Sequence, residues 1–167
     1  MTRKKKDRQG REQSGRDRRH RRDELTDLDP YLGCPSDARL GLDPLGVGWL
    51  RRGQSFDTGP VPEAFPAALL EFCLDKHTVC ARPGSMPCSL CGERPQPIEL
   101  DGETAQFGLA EIRVLGKEDI FAAPTLVHHY VTVHHYRPPD VFVQAVLHGP
   151  PPGSPEHRAL VRTLNGA

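Results

Sequence analysis

The chain has 167 residues, with 22 Lys or Arg against 22 Asp or Glu, so its formal net charge is zero. This balance hides an asymmetry, because residues 3–22 hold eleven basic and three acidic residues, which leaves the tail at about +8 and the remainder at about −8. No stretch approaches the roughly 18 consecutive apolar residues of a membrane span, and no apolar segment follows the basic start as in a secretory signal. We therefore expect a cytoplasmic protein that does not enter a membrane and whose five cysteines stay reduced.

The basic tail, residues 1–24, contains no Leu, Ile, Val, Phe, Tyr or Trp. Nothing in it can offset an ordering cost of about 1–2 kcal/mol per residue, so a disordered tail is expected. Such a tail can bind phosphates without sequence preference, with an affinity that falls steeply as salt rises. Non-specific nucleic-acid binding is therefore one alternative function, and its candidate residues are Arg3, Lys4, Lys5, Lys6, Arg18, Arg19, Arg21 and Arg22.

The rest of the chain divides by composition into three parts. Residues 25–43 mix isolated apolar residues with Pro, Gly and Asp, which predicts an irregular lead-in. Residues 44–148 are expected to form one packed domain. Residues 149–167 predict a proline-rich C-terminal tail that includes one short terminal helix.

The first helix of the domain is predicted from about Pro62 to Lys76. Its prolines fall near its start, where their missing N–H groups cost nothing. Its apolar residues recur at helical spacing and are Phe65, Leu69, Phe72 and Cys73.

A β-hairpin is predicted after the Pro-, Gly- and Cys-rich loop at 77–97. Side chains alternate in the segment 110–116, which places Ile112 and Val114 on one face, and GKED supplies a turn before the apolar run IFAA. The hairpin also carries Glu111 and Asp119, which we interpret as surface charges.

Two more helices are predicted near the end of the domain. One starts at Pro124 and stops before Pro138, because a residue that precedes proline avoids the helical region. The other starts at Pro139, and its apolar stripe is Phe142, Val143, Val146 and Leu147.

A Cys-x-x-Cys pair, Cys88 and Cys91, lies in the loop and is followed by Gly92. This spacing lets two thiolates converge on one metal ion from a tight turn, and the glycine lets the backbone fold back toward the sulfurs. Two further ligands must come from another part of the chain.

Four histidines, at 128, 129, 134 and 135, are the candidates for these ligands. Two imidazole nitrogens on one zinc ion lie roughly 3.3 Å apart. His128 and His135 share a helical face but are about 10.5 Å apart along the axis, which is too far. His129 and His134 have the spacing of structural zinc sites, provided that the last helical turn loosens.

The sequence therefore predicts a structural zinc site formed by Cys88, Cys91, His129 and His134. Alternative ligands are Cys80, His77 and His135. On another interpretation the cysteines are incidental thiols and the histidines face solvent or the core. A Cys-x-x-Cys knuckle, a β-hairpin and a helix with two histidines follow the ligand order of a ββα finger, which predicts an α+β, zinc-finger-like domain with flanking helices.

The same residues carry a family resemblance. Its motifs are Gly48-Trp49-Leu50, GPVPEAF from Gly59, the Cys-x-x-Cys pair, AEIRV from Ala110, Ala123-Pro124 and HYVxxHxYxPPxxF from His129. With them the chain resembles, over residues 44–147, a group of small uncharacterised bacterial proteins that share a domain of unknown function. Abundant Ala, Gly, Pro and Val, with more Arg than Lys, are typical of high-GC, actinobacterial-type genomes. The resemblance favours His129 and His134 over their neighbours and implies no reaction.

Enzymatic function is not favoured by the motifs. The string Pro-Cys-x-x-Cys matches half of a zinc deaminase motif, but no His-x-Glu or Cys-x-Glu precedes it at a suitable distance. A histidine metallonuclease needs its histidine pair on a strand, whereas this pair lies on a predicted helix. In addition, a site with four protein ligands is closed, and closed sites are structural. A metal-dependent hydrolase is thus the least favoured alternative.

An accessory module that binds an unidentified protein is favoured by elimination. The predicted histidine helix has no Arg or Lys with which to read a DNA groove. Aromatic residues could form an exposed docking patch, although in a small domain they more often belong to the core. These residues are Trp49, Phe56, Tyr130 and Tyr136.

Overall fold

The structure, a computed structural model, describes residues 25–166, so every prediction about the tail at 1–24 lies outside the described residues. This part of the chain forms a mixed α+β fold with five α-helices, a three-stranded sheet and a two-stranded sheet. In the same range, no helix is both long and apolar enough to cross a membrane.

The lead-in contains one short helix, α1 (Pro35–Arg39), and is followed by the short strand β1 (Leu45–Gly46). Regular structure is sparse here, as the composition indicates, yet Tyr31 and Cys34 of this segment are buried. The Tyr31 ring stacks on Trp49 with the ring centroids 4.6 Å apart. The lead-in therefore packs against the domain that follows it.

The three-stranded sheet contains the predicted hairpin. Strands β4 (Glu111–Leu115) and β5 (Ile120–Pro124) are antiparallel, with Val114 opposite Phe121, and β1 adds to β5 in parallel. The hairpin prediction is confirmed. The prediction that Pro124 starts a helix is wrong, because Pro124 is the last residue of β5, where its missing N–H removes no interior ladder hydrogen bond.

A second hairpin, which was not predicted from the sequence, consists of β2 (Ile98–Leu100) and β3 (Glu103–Ala105). Asp101 and Gly102 connect the strands with φ of 50° and 80°. An Asp-Gly pair is the common sequence of a two-residue hairpin turn in which both central residues have positive φ. The signal was present in the sequence, but the flanking strands are only three residues long.

Helix α2 (Phe65–Phe72) is shorter than predicted. Pro62 to Ala64 form a turn in which the Phe65 N–H donates to the Pro62 carbonyl, and beyond the helix only a 3₁₀ turn (Asp75–His77) follows. Its predicted apolar stripe is confirmed, since Phe65, Leu69, Phe72 and Cys73 are fully buried.

Two C-terminal helices pack on the sheet and on α2. In helix α4 (Asp140–His148) Phe142, Val143 and Val146 of the predicted stripe are buried, and Leu147 is half-buried. The Phe142 ring meets Phe121 edge-on, with the centroids 5.7 Å apart. Helix α5 (Pro155–Gly166) follows a short linker and buries His157, Val161 and Leu164.

The expectation that all cysteines are reduced is wrong for two of them. Cys34 and Cys80 form a disulfide, with their Cα atoms 6.1 Å apart. Cys73 is a free thiol, and burial raises its pKa to about 12. The sequence could not indicate the bond, because 46 positions separate its two cysteines and no local pattern links them.

The four aromatic residues considered as a docking patch do not form one. Tyr130 and Tyr136 are 3% and 0% exposed, and Trp49 and Phe56 are half-buried. Phe56 meets Tyr136 edge-on at 6.1 Å between the ring centroids. These rings belong to the interior, which is the more common place for aromatic residues in a small domain.

Candidate metal centre

Helix α3 (Val127–Val133) supplies the first histidine of the cluster. Its residues Val127, Tyr130 and Val131 are buried, which orients the helix against the core. His129 lies between these apolar positions and is 6% exposed. The packing of α3 therefore holds the His129 ring at the edge of the core.

The end of α3 supplies the second histidine. The Tyr130 carbonyl accepts hydrogen bonds from both the His134 and the Tyr136 N–H groups, at 3.1 and 3.0 Å, and His135 has a left-handed φ of 55°. The helix thus ends before His134, and the chain reverses there. His134 can approach His129 for this reason, with 5.1 Å between the ring centroids.

The Cys-x-x-Cys segment forms a tight turn. The Gly92 N–H donates to the Cys88 carbonyl at 2.8 Å, the Cys88 N–H donates to the Glu93 carbonyl at 2.7 Å, and Gly92 has φ of 80°. The Leu90 N–H points at the Cys88 sulfur, 3.4 Å away. A backbone N–H on sulfur favours a thiolate, which is the ligand form of cysteine.

The structure brings Cys88, Cys91, His129 and His134 together, with all four ligand atoms within 4.8 Å of one another. Nε2 of His134 lies 3.4 Å from Sγ of Cys88, and Nε2 of His129 lies 3.5 Å from Sγ of Cys91. Bond lengths of ~2.3 Å to sulfur and ~2.0–2.1 Å to nitrogen place two such atoms about 3.5 Å apart around a tetrahedral ion. The residues present therefore fit a tetrahedral metal ion with two thiolates and two imidazoles.

Within the cluster, each cysteine disfavours the negative charge of the other, and each histidine disfavours the positive charge of the other. Burial raises the pKa of Cys88, and the neighbouring Cys91 thiol adds to this effect. Burial also lowers the pKa of His129, as does the nearby His134 ring, so the neutral imidazole that binds metals is favoured. A divalent cation would compensate two adjacent thiolates.

The three alternative ligands lie outside the cluster. Cys80 is bonded to Cys34, and His77 packs against His157 with the ring centroids 5.5 Å apart. His135 is exposed at the chain reversal. His128, the other neighbour, stacks on Phe107 at 5.7 Å.

The segment from Asp27 to Gly48 supports the end of α3. The Tyr136 hydroxyl donates to Asp27 at 2.7 Å, and the Gly48 N–H donates to the other Asp27 oxygen at 2.9 Å. Gly48 has φ of 71°, and a Cβ there would lie 2.9 Å from a methyl group of Val127. The close approach explains why glycine suits this position next to the histidine helix.

A second polar cluster, which was not predicted from the sequence, lies on β4. The Arg113 guanidinium is 0% exposed and donates to Asp37 at 2.6 Å and to Glu111 at 2.9 Å. The Tyr31 hydroxyl donates to the other Glu111 oxygen at 2.6 Å, and Arg82 lies 3.7 Å from the same oxygen. We call these five residues the ion cluster.

The interpretation of Glu111 as a surface charge is therefore wrong, since it is 3% exposed. Asp119 is exposed, as expected. Burial by itself disfavours the charge of Arg113, but Asp37 and Glu111 outweigh it and raise the pKa of the guanidinium. The alternation of polar and apolar side chains on β4 indicated a polar face directed at solvent. No sequence pattern near β4 showed that the lead-in covers this face.

Comparisons with known proteins, like the motifs, indicate a family but no reaction. A family model described as a domain of unknown function, DUF7919, matches residues 23–147. The chain belongs to this family. The match includes the lead-in, whereas the resemblance noted from the motifs began at residue 44. Comparisons with curated proteins and with solved structures gave no match.

Proposed function

We propose that Cys88, Cys91, His129 and His134 bind one zinc ion as a structural site, and that the domain serves as an accessory module that binds another protein. The observation that carries the metal proposal is the mutual distance of the four ligand atoms, all within 4.8 Å. A mixed pair of thiolates and imidazoles is a common donor set of structural zinc. This assignment makes the domain zinc-finger-like in ligand order.

The elements around the cluster support a structural role. The two cysteines come from a loop, whereas the histidines come from α3 and from the residue after it. A metal ion would therefore join two distant segments of the chain. Cys91 and His129 are 38 positions apart, and Cys88 and His134 are 46 positions apart. With four protein ligands, no coordination position is left for a substrate.

The metal proposal is tested by elemental analysis of the purified chain and of two variants, Cys88→Ser and His134→Ala. We expect close to one zinc per chain in the parent and at least a tenfold lower content in both variants. The matched control is His135→Ala, because His135 is adjacent to a proposed ligand but is exposed and outside the cluster. Full zinc retention in both ligand variants would overturn the assignment.

The structural assignment of the site is tested against hydrolysis. The zinc-loaded chain is assayed with p-nitrophenyl esters and with a phosphodiester of the same chromophore. We expect no turnover above that of the His134→Ala variant, since a closed site cannot activate water. Turnover that depends on His134 would contradict the structural assignment and favour the hydrolase alternative.

The alternative of non-specific nucleic-acid binding depends on the basic composition of residues 3–22. Helix α3 gives it no support, since its sequence, VHHYVTV, contains no Arg or Lys. Binding to random-sequence DNA is compared for the full chain and for a variant in which the eight candidate basic residues are neutral. Binding that the full chain shows at low salt and loses at high salt, and that the variant lacks, would favour this alternative.

A further inference from the structure

The two cysteines of the Cys34–Cys80 disulfide differ in solvent exposure. Cys34 is 2% exposed, whereas Cys80 is half-buried and lines a cavity of about 490 Å³. The volume is within the range of small-molecule sites. The polar residues that line the cavity with Cys80 are Ser36, Asp75, Thr78 and Asn165. A small polar molecule could therefore reach Cys80 without reaching Cys34.

A buried cation lies beside the same bond. Nη2 of Arg113 is 3.8 Å from Sγ of Cys80. The attacking species in thiol–disulfide exchange is an anionic thiolate, and a positive charge beside Sγ of Cys80 attracts it to that sulfur.

The backbone at Cys80 is also held in an uncommon conformation. Its φ is 53°, in the left-handed region that L residues other than Asn and Asp seldom adopt. Such a conformation persists only where the surrounding structure imposes it. Opening the crosslink would remove one of the constraints that hold it.

We propose that the Cys34–Cys80 bond is a thiol–disulfide exchange site for small polar thiols, with Cys80 as the sulfur attacked. The thiolate of the small molecule bonds to Sγ of Cys80, and the S–S bond breaks. Its electron pair stays on Sγ of Cys34, which takes up the proton that the incoming thiol released. One disulfide and one thiol are converted into another disulfide and another thiol, so no further oxidant or reductant is needed.

The exchange would act on the lead-in. Cys34 immediately precedes α1, and α1 carries Asp37 of the ion cluster. With the covalent link open, the ion pair of Asp37 with Arg113 would still join α1 to β4. The exchange thus loosens α1 and leaves the four-ligand cluster unchanged.

The test uses the full chain with zinc present and free cysteine as the thiol. Samples are quenched with acid at early times, digested and examined by mass spectrometry. We expect a cysteinyl group on Cys80, a free thiol on Cys34 and an unmodified Cys73, with metal content unchanged. Hydrogen exchange at residues 34–40 is expected to be at least tenfold faster in the modified chain.

A pair of variants tests the route through the cavity. Ala81 is exposed and lines the cavity, so Ala81→Trp should obstruct its opening and slow the exchange at least tenfold. The matched control is Ala67→Trp, at an exposed position of α2 that does not line the cavity, and it should react within twofold of the parent rate.

Several results would overturn the proposal. They are an adduct on Cys34 in place of Cys80, a bond that opens only in denaturant, and equal rates for Ala81→Trp and the parent. A further one is a purified chain in which both sulfurs are free and, with Glu111, bind a second zinc equivalent.

Discussion

Two regions of the domain join distant parts of the chain, and they do so with different chemistry. The four-ligand cluster combines a loop at 88–91 with the end of α3, through two thiols and two imidazoles. The ion cluster combines the lead-in with β4, through Arg113, Asp37, Glu111 and Tyr31. On our proposal the first region binds an added cation that balances two thiolates, whereas the second contains its own cations.

This difference decides how each region is expected to respond to perturbation. A structural metal couples its binding free energy to folding, so the cluster should lose much of its order when the ion is removed. A buried ion pair has a high desolvation cost, and removing one partner leaves an uncompensated charge. Metal removal should therefore affect one region, and substitution of a single charge the other.

Chelation should have the largest effect. In zinc-finger peptides the ion contributes roughly 10–16 kcal/mol of apparent free energy, and this domain has its own apolar core, so we expect a loss of about 5 kcal/mol or more. The measurement is urea unfolding with and without a strong zinc chelator. An unchanged unfolding midpoint after complete zinc removal would show that the cluster does not stabilise the fold.

Arg113→Met should have the second-largest effect. The variant leaves the Asp37 and Glu111 carboxylates buried without their main partner, and we expect a loss of about 3–5 kcal/mol in the free energy of unfolding. Zinc content should stay at the parent level, which separates the two regions.

The control for this prediction is the variant with Arg113→Met, Asp37→Asn and Glu111→Gln. It removes both carboxylate charges and should recover part of the loss. If Arg113→Met costs less than about 1 kcal/mol, the ion cluster is not the link that the structure indicates.

The same contrast explains what the sequence could predict. Cys88 and Cys91 are three residues apart, and His129 and His134 are five apart. Two short motifs were therefore enough to predict all four metal ligands. Asp37 and Arg113 are 76 positions apart, and no motif connects them. Apolar periodicity located α2, α4 and the β4–β5 hairpin correctly. It could not show which segment covers the polar face of β4, because this depends on the tertiary position of the lead-in.

Helix boundaries were less predictable for a related reason. From the sequence, the helix that carries the histidines was predicted to start at Pro124. Pro124 instead ends β5, and α3 begins at Val127. The pairing of β5 with both β1 and β4 decides this point, and a local pattern does not contain that information.

Tyr136→Phe should have a moderate effect near the four-ligand cluster. Its hydroxyl donates to Asp27 at 2.7 Å, and a hydrogen bond to a charged group contributes about 1.5–3 kcal/mol. We expect a loss of about 2 kcal/mol in unfolding experiments, with one zinc retained. Loss of zinc in this variant would mean that Asp27 positions the end of α3 for metal binding.

Tyr31→Phe is the matching substitution in the ion cluster, and its effect should be smaller. The Tyr31 hydroxyl donates to Glu111 at 2.6 Å, but Glu111 keeps Arg113 at 2.9 Å and Arg82 at 3.7 Å. Because the carboxylate stays partnered, we expect a loss of about 1 kcal/mol. A larger loss than for Tyr136→Phe would contradict this ranking of the two regions.

The smallest effect is expected from the protonation of His77, which packs against His157 of α5. Burial, and to a smaller extent the neighbouring His157, lower the pKa of His77 to about 4. A histidine whose pKa is lower in the folded state stabilises the fold above its unfolded pKa of about 6.5, and this contribution is lost as pH falls toward 4. His77 is half-buried, so screening by solvent should keep the loss below about 1 kcal/mol.

His77→Gln should flatten this part of the curve of unfolding free energy against pH. Zinc content is followed in parallel, because protons also compete for the metal ligands. An equally steep curve in the variant would show that groups other than His77 cause the acid sensitivity.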